Sequence, residues 1–261
     1  MSIDALSTST ENGVLTVVFN RPERLNAMTA DMETELVRVA ARVNDDPTVH
    51  AVVFTGATGK RPAFVAGQDV GELSAIADAQ AAEEVERHSE ELLEAIERIG
   101  VPTIAAVGGP CVGVGALIVG CCDIVIVSES VKFGFPIART VGNLLSTKNT
   151  RRMIDLVGVP RVKNMVLRAR LMSGRELFAS GAASELVGDA ELGSRAREIA
   201  EEIGALAPLT LSGTKTSIRR MRDAPGHADN LDLLTEAYLS DDFAEAVNAF
   251  LEKRSPRWAG R

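Results

Sequence analysis

Aromatic side chains are scarce: eight Phe, one Tyr and one Trp make up 4% of the 261 residues. The core must therefore rest mainly on Ala, Val, Leu and Ile. Cysteine is also rare. Cys111, Cys121 and Cys122 have neither a metal-site spacing nor the even count of a disulfide framework, so reduced, buried thiols and a cytoplasmic setting are expected. Basic residues are outnumbered, 28 Lys and Arg against 36 Asp and Glu, for a net charge of −8. That balance argues against a general nucleic-acid or membrane surface, although a local basic patch would still serve an anionic ligand. Long hydrophobic runs are missing as well. The nearest, Ile104 to Val127, is interrupted by Gly108, Gly109, Pro110 and Asp123 among others, so no membrane-spanning helix is expected. Met1 to Asn12 is polar and lacks the apolar stretch of a signal peptide.

What is present fits a globular protein: 46% hydrophobic and 25% charged residues, in a chain long enough for one large domain or a domain with a small appendage. Val14 to Phe19 reads as a strand, and a helix is expected from about Thr29 to Val43, with Met32, Leu36, Ala40 and Val43 on one face. Ala51 to Phe54, Thr103 to Val107 and Ile124 to Val127 are apolar throughout, the pattern of strands covered on both sides. A helix from about Ala82 to Ile99 places Val85, Ser89, Leu92, Ile96 and Ile99 on a stripe, leaving Glu90 outward and His88 at the edge of the core. Strands alternating with amphipathic helices give an α/β architecture. Later segments are helical: Ser173 to Glu176 spells a capping box, and Leu192, Ala196, Ile199, Ala200 and Ile203 form a stripe. A sheet-containing core is expected over 1–195, with a helical region over 196–261.

Two glycine-bearing segments carry the chemistry. In Phe64-Val65-Ala66-Gly67-Gln68-Asp69, Gly67 permits a tight turn that leaves the Gln68 N–H pointing into a pocket. In Gly113-Val114-Gly115, small residues open a helix whose first N–H groups lack intrahelical partners. Each segment alone is equally an ordinary strand-to-helix connection or a site of close helix–sheet packing. Together, across a β–α–β pattern, they suit an oxyanion hole, two N–H groups on one carbonyl oxygen.

These segments, with Asn20-Arg21-Pro22-Glu23 through Asn26-Ala27-Met28, Pro102 to Asp123, Lys132-Phe133-Gly134 and Ala249-Phe250-Leu251-Glu252-Lys253-Arg254, resemble the crotonase superfamily, the enoyl-CoA hydratase/isomerase family. The resemblance spans nearly the whole chain. It implies a spiral of ββα repeats followed by a helical trimerisation region. It also implies an acyl-CoA thioester substrate and a homotrimer or dimer of trimers, with no metal and no cofactor beyond the coenzyme A carried by the substrate. The oxyanion donors fall on Gln68 and on Val114, where relatives usually carry glycine. Coenzyme A contacts map to Arg24, the Ala66 carbonyl beside Gly67, and Phe250 and Lys253 of a neighbouring subunit.

Departures from the pattern matter as much. Where hydratases carry two glutamates, this chain has Leu117 and Ile137, and neither can transfer a proton. The segment from Arg139 to Thr150 offers Asn143, Ser146 and Asn149, able to hold a water or a carboxylate, or else to cap a helix. Asp69 is expected to cap the helix that follows it. His50 and His227 sit at loop-like positions without a constellation. Hydratase-like chemistry with atypical groups, a reaction needing less proton transfer, and a non-catalytic acyl-CoA binding protein all remain open.

Overall fold

The computed structural model describes residues 5–57, 62–73, 77–223 and 231–261. β1 (Leu6–Glu11) and β2 (Val14–Phe19) pair antiparallel across Asn12-Gly13, both with positive φ (49° and 74°), the geometry that a tight hairpin turn requires. α1 (Ala30–Asp45) begins at Thr29, whose hydroxyl accepts from the Met32 N–H at 3.3 Å.

From there one pattern recurs. β3 (Ala51–Gly56) enters a large sheet and β4 (Val65–Ala66) a small one, followed by α2 (Val70–Leu73) and α3 (Ala79–Glu97). β5 (Thr103–Val107), β6 (Pro110–Val112) and α4 (Val114–Cys121) repeat the sequence of elements. β7 (Ile124–Ser128) and β8 (Lys132–Gly134) repeat it again before α5 (Thr147–Val157) and α6 (Val159–Leu167). β9 (Met172–Ser173), α7 (Gly174–Ala179) and β10 (Glu185–Val187) complete the sheets, ordered β1-β2-β3-β5-β7-β10 and β4-β6-β8-β9. Each ββα unit thus adds one parallel strand to both sheets, which is the expected spiral.

Strand alternation divides the core in two. Val52, Phe54, Ala105, Val107, Val125 and Val127 face inward with Leu36, Leu92, Ile96 and the helix α4. Ala51, Val53, Ile104, Ala106 and Ile126 face the other way and are covered by α8 (Leu192–Gly204) through Leu192, Ala196, Ile199, Ala200 and Ile203. Residue 195, where the helical region was expected to follow, lies within α8, and among the described residues the elements after Gly204 are all helical. That region comprises α9 (Pro208–Asp223), α10 (Leu231–Tyr238) and α11 (Asp241–Glu252), and it leaves Ile218, Met221, Leu239 and Leu251 exposed.

Two helix readings are refined. The Ser173–Glu176 capping box forms in both directions, with Ser173 Oγ accepting from the Glu176 N–H and Glu176 accepting from the Ser173 N–H. α3 begins three residues earlier than its apolar stripe suggested, because Asp78 accepts from the Ala81 N–H at 2.8 Å and caps it. Cys111 and Cys121 are buried and Cys122 partly so, and burial pushes all three thiols up, so they stay protonated. Among the described residues, no helix is long and apolar enough to cross a membrane.

Candidate functional site

β4 and β6 are parallel neighbours, Val65 level with Cys111 and Ala66 with Val112. Both chains leave the small sheet through a glycine of positive φ, Gly67 at 90° and Gly113 at 57°. A methyl group on Gly113 would stand 3.4 Å from the Gly67 Cα, so the two corners abut. Gln68 and Val114 follow them, and among the described residues neither backbone N–H donates a hydrogen bond. Val114 has negative φ and opens α4, so its amide lies at the positive end of the helix dipole. Gly115 explains how α4 comes so close: a Cβ there would meet the Val65 carbonyl oxygen at 2.3 Å.

The first corner is pinned from below by the Asn20–Met28 stretch. The fully buried Asn26 accepts from the Arg21 N–H (2.9 Å) and donates to the Ala63 carbonyl (2.7 Å). Backbone bonds from Ala66 N to Leu25 O, Met28 N to Gly67 O and Asp69 N to Met28 O fasten the two segments together. Asp69 accepts from the Gly71 N–H at the start of α2, the expected capping role, and pairs with Arg21 at 2.9 Å. The Arg21 guanidinium holds its carboxyl below the usual range.

Side chains around the second corner are apolar. Val114, Leu117 one turn along α4, and Ile137 beyond β8 are all buried in the main core. The Gly113 N–H donates to the Gly134 carbonyl at 3.1 Å, which sets the β8 exit beside α4. Ser146 is the N-cap of α5, its Oγ accepting from the Asn149 N–H at 3.2 Å. The buried Asn149 side chain accepts from Arg152 at 2.7 Å. Asn143 and Arg139 are exposed. Within the expected polar set, Ser146 and Asn149 meet at the start of α5.

Arg24 is exposed on a single 3-10 turn, and Lys253 is exposed just beyond α11 with φ 56°. The Phe250 side chain and His227 lie outside the described residues. Glu90, expected to face solvent, is instead directed at α5. The nearly buried Arg152 donates both Nη groups to Glu90 at 2.8 Å and a further pair of hydrogen bonds to Glu97 at 2.8 and 3.0 Å. Glu97 also accepts from Arg222 of α9. Burial alone would raise the Glu97 carboxyl, but these two guanidinium groups outweigh it and hold it below the usual range. The signal was present in sequence as acids at 90, 94 and 97, on helical spacing, opposite Lys148 and Arg152.

Sequence reasoning missed Glu33. It stands three, seven and ten residues before Leu36, Ala40 and Val43, so a carboxylate occupies the apolar stripe of α1. Its side chain is 3% exposed, with Ser89 Oγ 3.3 Å from Oε1 and His88 Nε2 3.6 Å from Oε2. Burial raises its carboxyl above the ordinary 4.5, against opposing pulls from His88, Gln68 and Ser89. A raised folded-state pKa means that the contribution to stability is complete at low pH and is lost as pH rises through that value. Glu33→Gln should therefore flatten the decline in stability above about pH 4.5, the ordinary value, read from urea midpoints at successive pH. An unchanged slope would show that Glu33 does not titrate in this window.

Comparison with known proteins gives one consistent answer. Residues 9–261 match the family model described as enoyl-CoA hydratase/isomerase. A putative enoyl-CoA hydratase of Thermus thermophilus is 34% identical over 95% of this chain and 98% of its own length. A peroxisomal Delta(3,5)-Delta(2,4)-dienoyl-CoA isomerase of Arabidopsis thaliana is 31% identical over 99% and 97%. Among solved structures, an enoyl-CoA hydratase/carnithine racemase from Magnetospirillum magneticum superposes with a TM-score of 0.91 at 30% identity, covering 100% of this chain and 97% of that one.

Proposed function

The chain belongs to the enoyl-CoA hydratase/isomerase family, and from that premise we propose that it binds an acyl-CoA thioester and stabilises its enolate between the Gln68 and Val114 N–H groups. The observation that carries this is the pair of adjoining glycine corners, Gly67 and Gly113, each followed by an amide without an acceptor among the described residues. Such donors favour charge that develops only as the Cα proton leaves, so they act on the transition state more than on the substrate.

Leu117 and Ile137 direct the choice of reaction. Hydration needs a water oriented and split by an acid and a base, and the apolar surface at these two positions supplies neither. The chemistry is therefore proton movement at the acyl chain, or another reaction driven by the enolate, rather than ordinary hydration. Ser146 and Asn149 hold α5 in place. Arg24, the Ala66 carbonyl and Lys253 contact the coenzyme A portion, the last together with Phe250 from a neighbouring copy. The exposed apolar residues of α9 to α11 are consistent with assembly into trimers.

Two measurements test this together. Cα protons of a saturated acyl-CoA should exchange in deuterated water, and crotonyl-CoA should hydrate very slowly. Leu117→Glu combined with Ile137→Glu should raise hydration by about 100-fold or more. Rapid hydration by the unaltered protein would refute the assignment of these positions. Acyl-CoA binding without exchange would favour a non-catalytic binding protein.

A further inference from the structure

The direction of the Gln68 amide is set from behind the corner. The Gly67 carbonyl accepts from the Met28 N–H at 2.9 Å. That carbonyl and the Gln68 N–H belong to one trans peptide, so they point in opposite directions. The Gln68 N–H therefore turns away from Met28, to the side of β6 and its Gly113 corner. One peptide further on, the Asp69 N–H donates back to the Met28 carbonyl at 2.7 Å, which completes a parallel bridge between Met28 and Gln68. Met28 is fully buried, so this bridge lies inside the fold.

Arg21 clamps the bridge from both sides. Its Nη1 donates to the Ala27 carbonyl at 2.6 Å and its Nη2 to Asp69 Oδ2 at 2.9 Å. One planar guanidinium thus holds the residue before Met28 and the residue after Gln68. The Arg21 backbone is fixed in turn, its N–H donating to the buried Asn26 side chain and its carbonyl accepting from the Asn26 and Arg24 N–H groups, each at 2.9 Å.

The pair also has an electrostatic effect. Asp69 directly follows the donor residue, and a bare carboxylate there would oppose negative charge on an oxygen held by the Gln68 N–H. Its Oδ1 accepts from the Gly71 N–H and its Oδ2 from Arg21, while Arg24 pulls on the same carboxyl more weakly than Arg21 does.

We propose that Arg21 is a positioning residue of this site, which holds the Gln68 N–H on the developing anion and cancels the Asp69 charge beside it. The proposal rests on the enolate reading above. Arg21 acts through Ala27 and Asp69 and touches no substrate atom. The fork of its guanidinium sets the direction of the amide, and its charge sets the local field.

The test follows Cα exchange of butyryl-CoA in deuterated water by NMR, with acyl-CoA binding measured separately. Arg21→Met should lower kcat by about 100-fold, the lower end of the range for losing an oxyanion donor, with KM little changed. Arg21→Lys keeps the charge but cannot span both acceptors, and should retain about tenfold more activity than Arg21→Met. Adding Asp69→Asn to Arg21→Met should recover about tenfold, since it removes the unbalanced charge and leaves an oxygen for the Gly71 N–H. A purely structural role forecasts the opposite, a second substitution that adds to the loss. Wild-type exchange in Arg21→Met, with Gly113→Ala still defective, would overturn the role of Arg21 and leave the enolate reading standing. A double variant no faster than Arg21→Met, or a loss of binding as large as the loss of rate, would overturn it too. Where Arg21→Met is too unstable to assay, Arg21→Lys decides: a fall of about tenfold in kcat at unchanged KM upholds the proposal, and wild-type kcat overturns it. Wild-type protein that binds acyl-CoA without exchanging Cα would overturn the enolate reading, and this proposal with it.

Discussion

Gly113→Ala is expected to lower Cα proton exchange by about 100- to 1,000-fold, the range for losing one oxyanion donor. Gly113 sits at φ 57° and ψ −125°, a backbone conformation that a Cβ strongly disfavours. The added methyl would also press on the Gly67 Cα at 3.4 Å, so relief must come from rotating the corner. Rotation redirects the Val114 N–H, because the peptide joining Gly113 to Val114 is rigid. The loss should fall on kcat, since the amide interacts most strongly with the enolate. Gly142→Ala is the matched control: φ there is 73°, but nothing lies within 4 Å of the new methyl group. A Gly113→Ala protein that keeps wild-type exchange would exclude the second donor.

The second large effect concerns stability. Arg152→Ala should destabilise the fold by about 3 kcal/mol or more, because it leaves the buried Glu97 and the half-buried Glu90 without their main partner. Arg152 is 4% exposed and joins Glu90 and Glu97 of α3 to α5. Glu97 retains Arg222 and Glu90 retains Lys148 at 3.4 Å, which keeps the cost near the lower end of the range for broken buried pairs. In a chain of 261 residues that corresponds to a fall in Tm of about 10 °C. Arg152→Lys should recover only part of it, since one ammonium cannot serve two carboxylates with the geometry of a guanidinium. A loss below about 1 kcal/mol, the range of exposed pairs, would mean that the network is solvated rather than buried.

These two sites differ in how far the sequence discloses them. Gly67 and Gly113 are legible because a tight turn and a close helix start need glycine locally, whatever the rest of the chain does. The α8 stripe and the Ser173–Glu176 capping box are legible for the same reason, since periodicity and capping act within one element. Glu33, Glu90 and Arg152 are not legible in that way. Amphipathic periodicity assigns charged residues to the solvent, and only the packing of α3 against α1 and α5 brings Glu33 to His88 and Glu90 to Arg152, 62 residues apart in the second case. Ser146 reads equally as a cap or as a chemical group in the sequence, because both use a hydroxyl at a helix start; in the fold its Oγ accepts from the Asn149 N–H and caps α5.

The ladder between β4 and β6 has a consequence for how this site can diverge. Adjacent strands lie about 4.8 Å apart, and two N–H groups at that separation can each reach a single oxygen at about 2.9 Å. The spacing of the two proposed donors would thus follow from main-chain pairing and from the repeat of the ββα unit, with no side chain required to set it. On the proposed reading, side chains such as those of Val114, Leu117 and Ile137 can vary without altering that spacing. Divergence would then rewrite the reaction around a proposed anion-holding pair that the main chain sets.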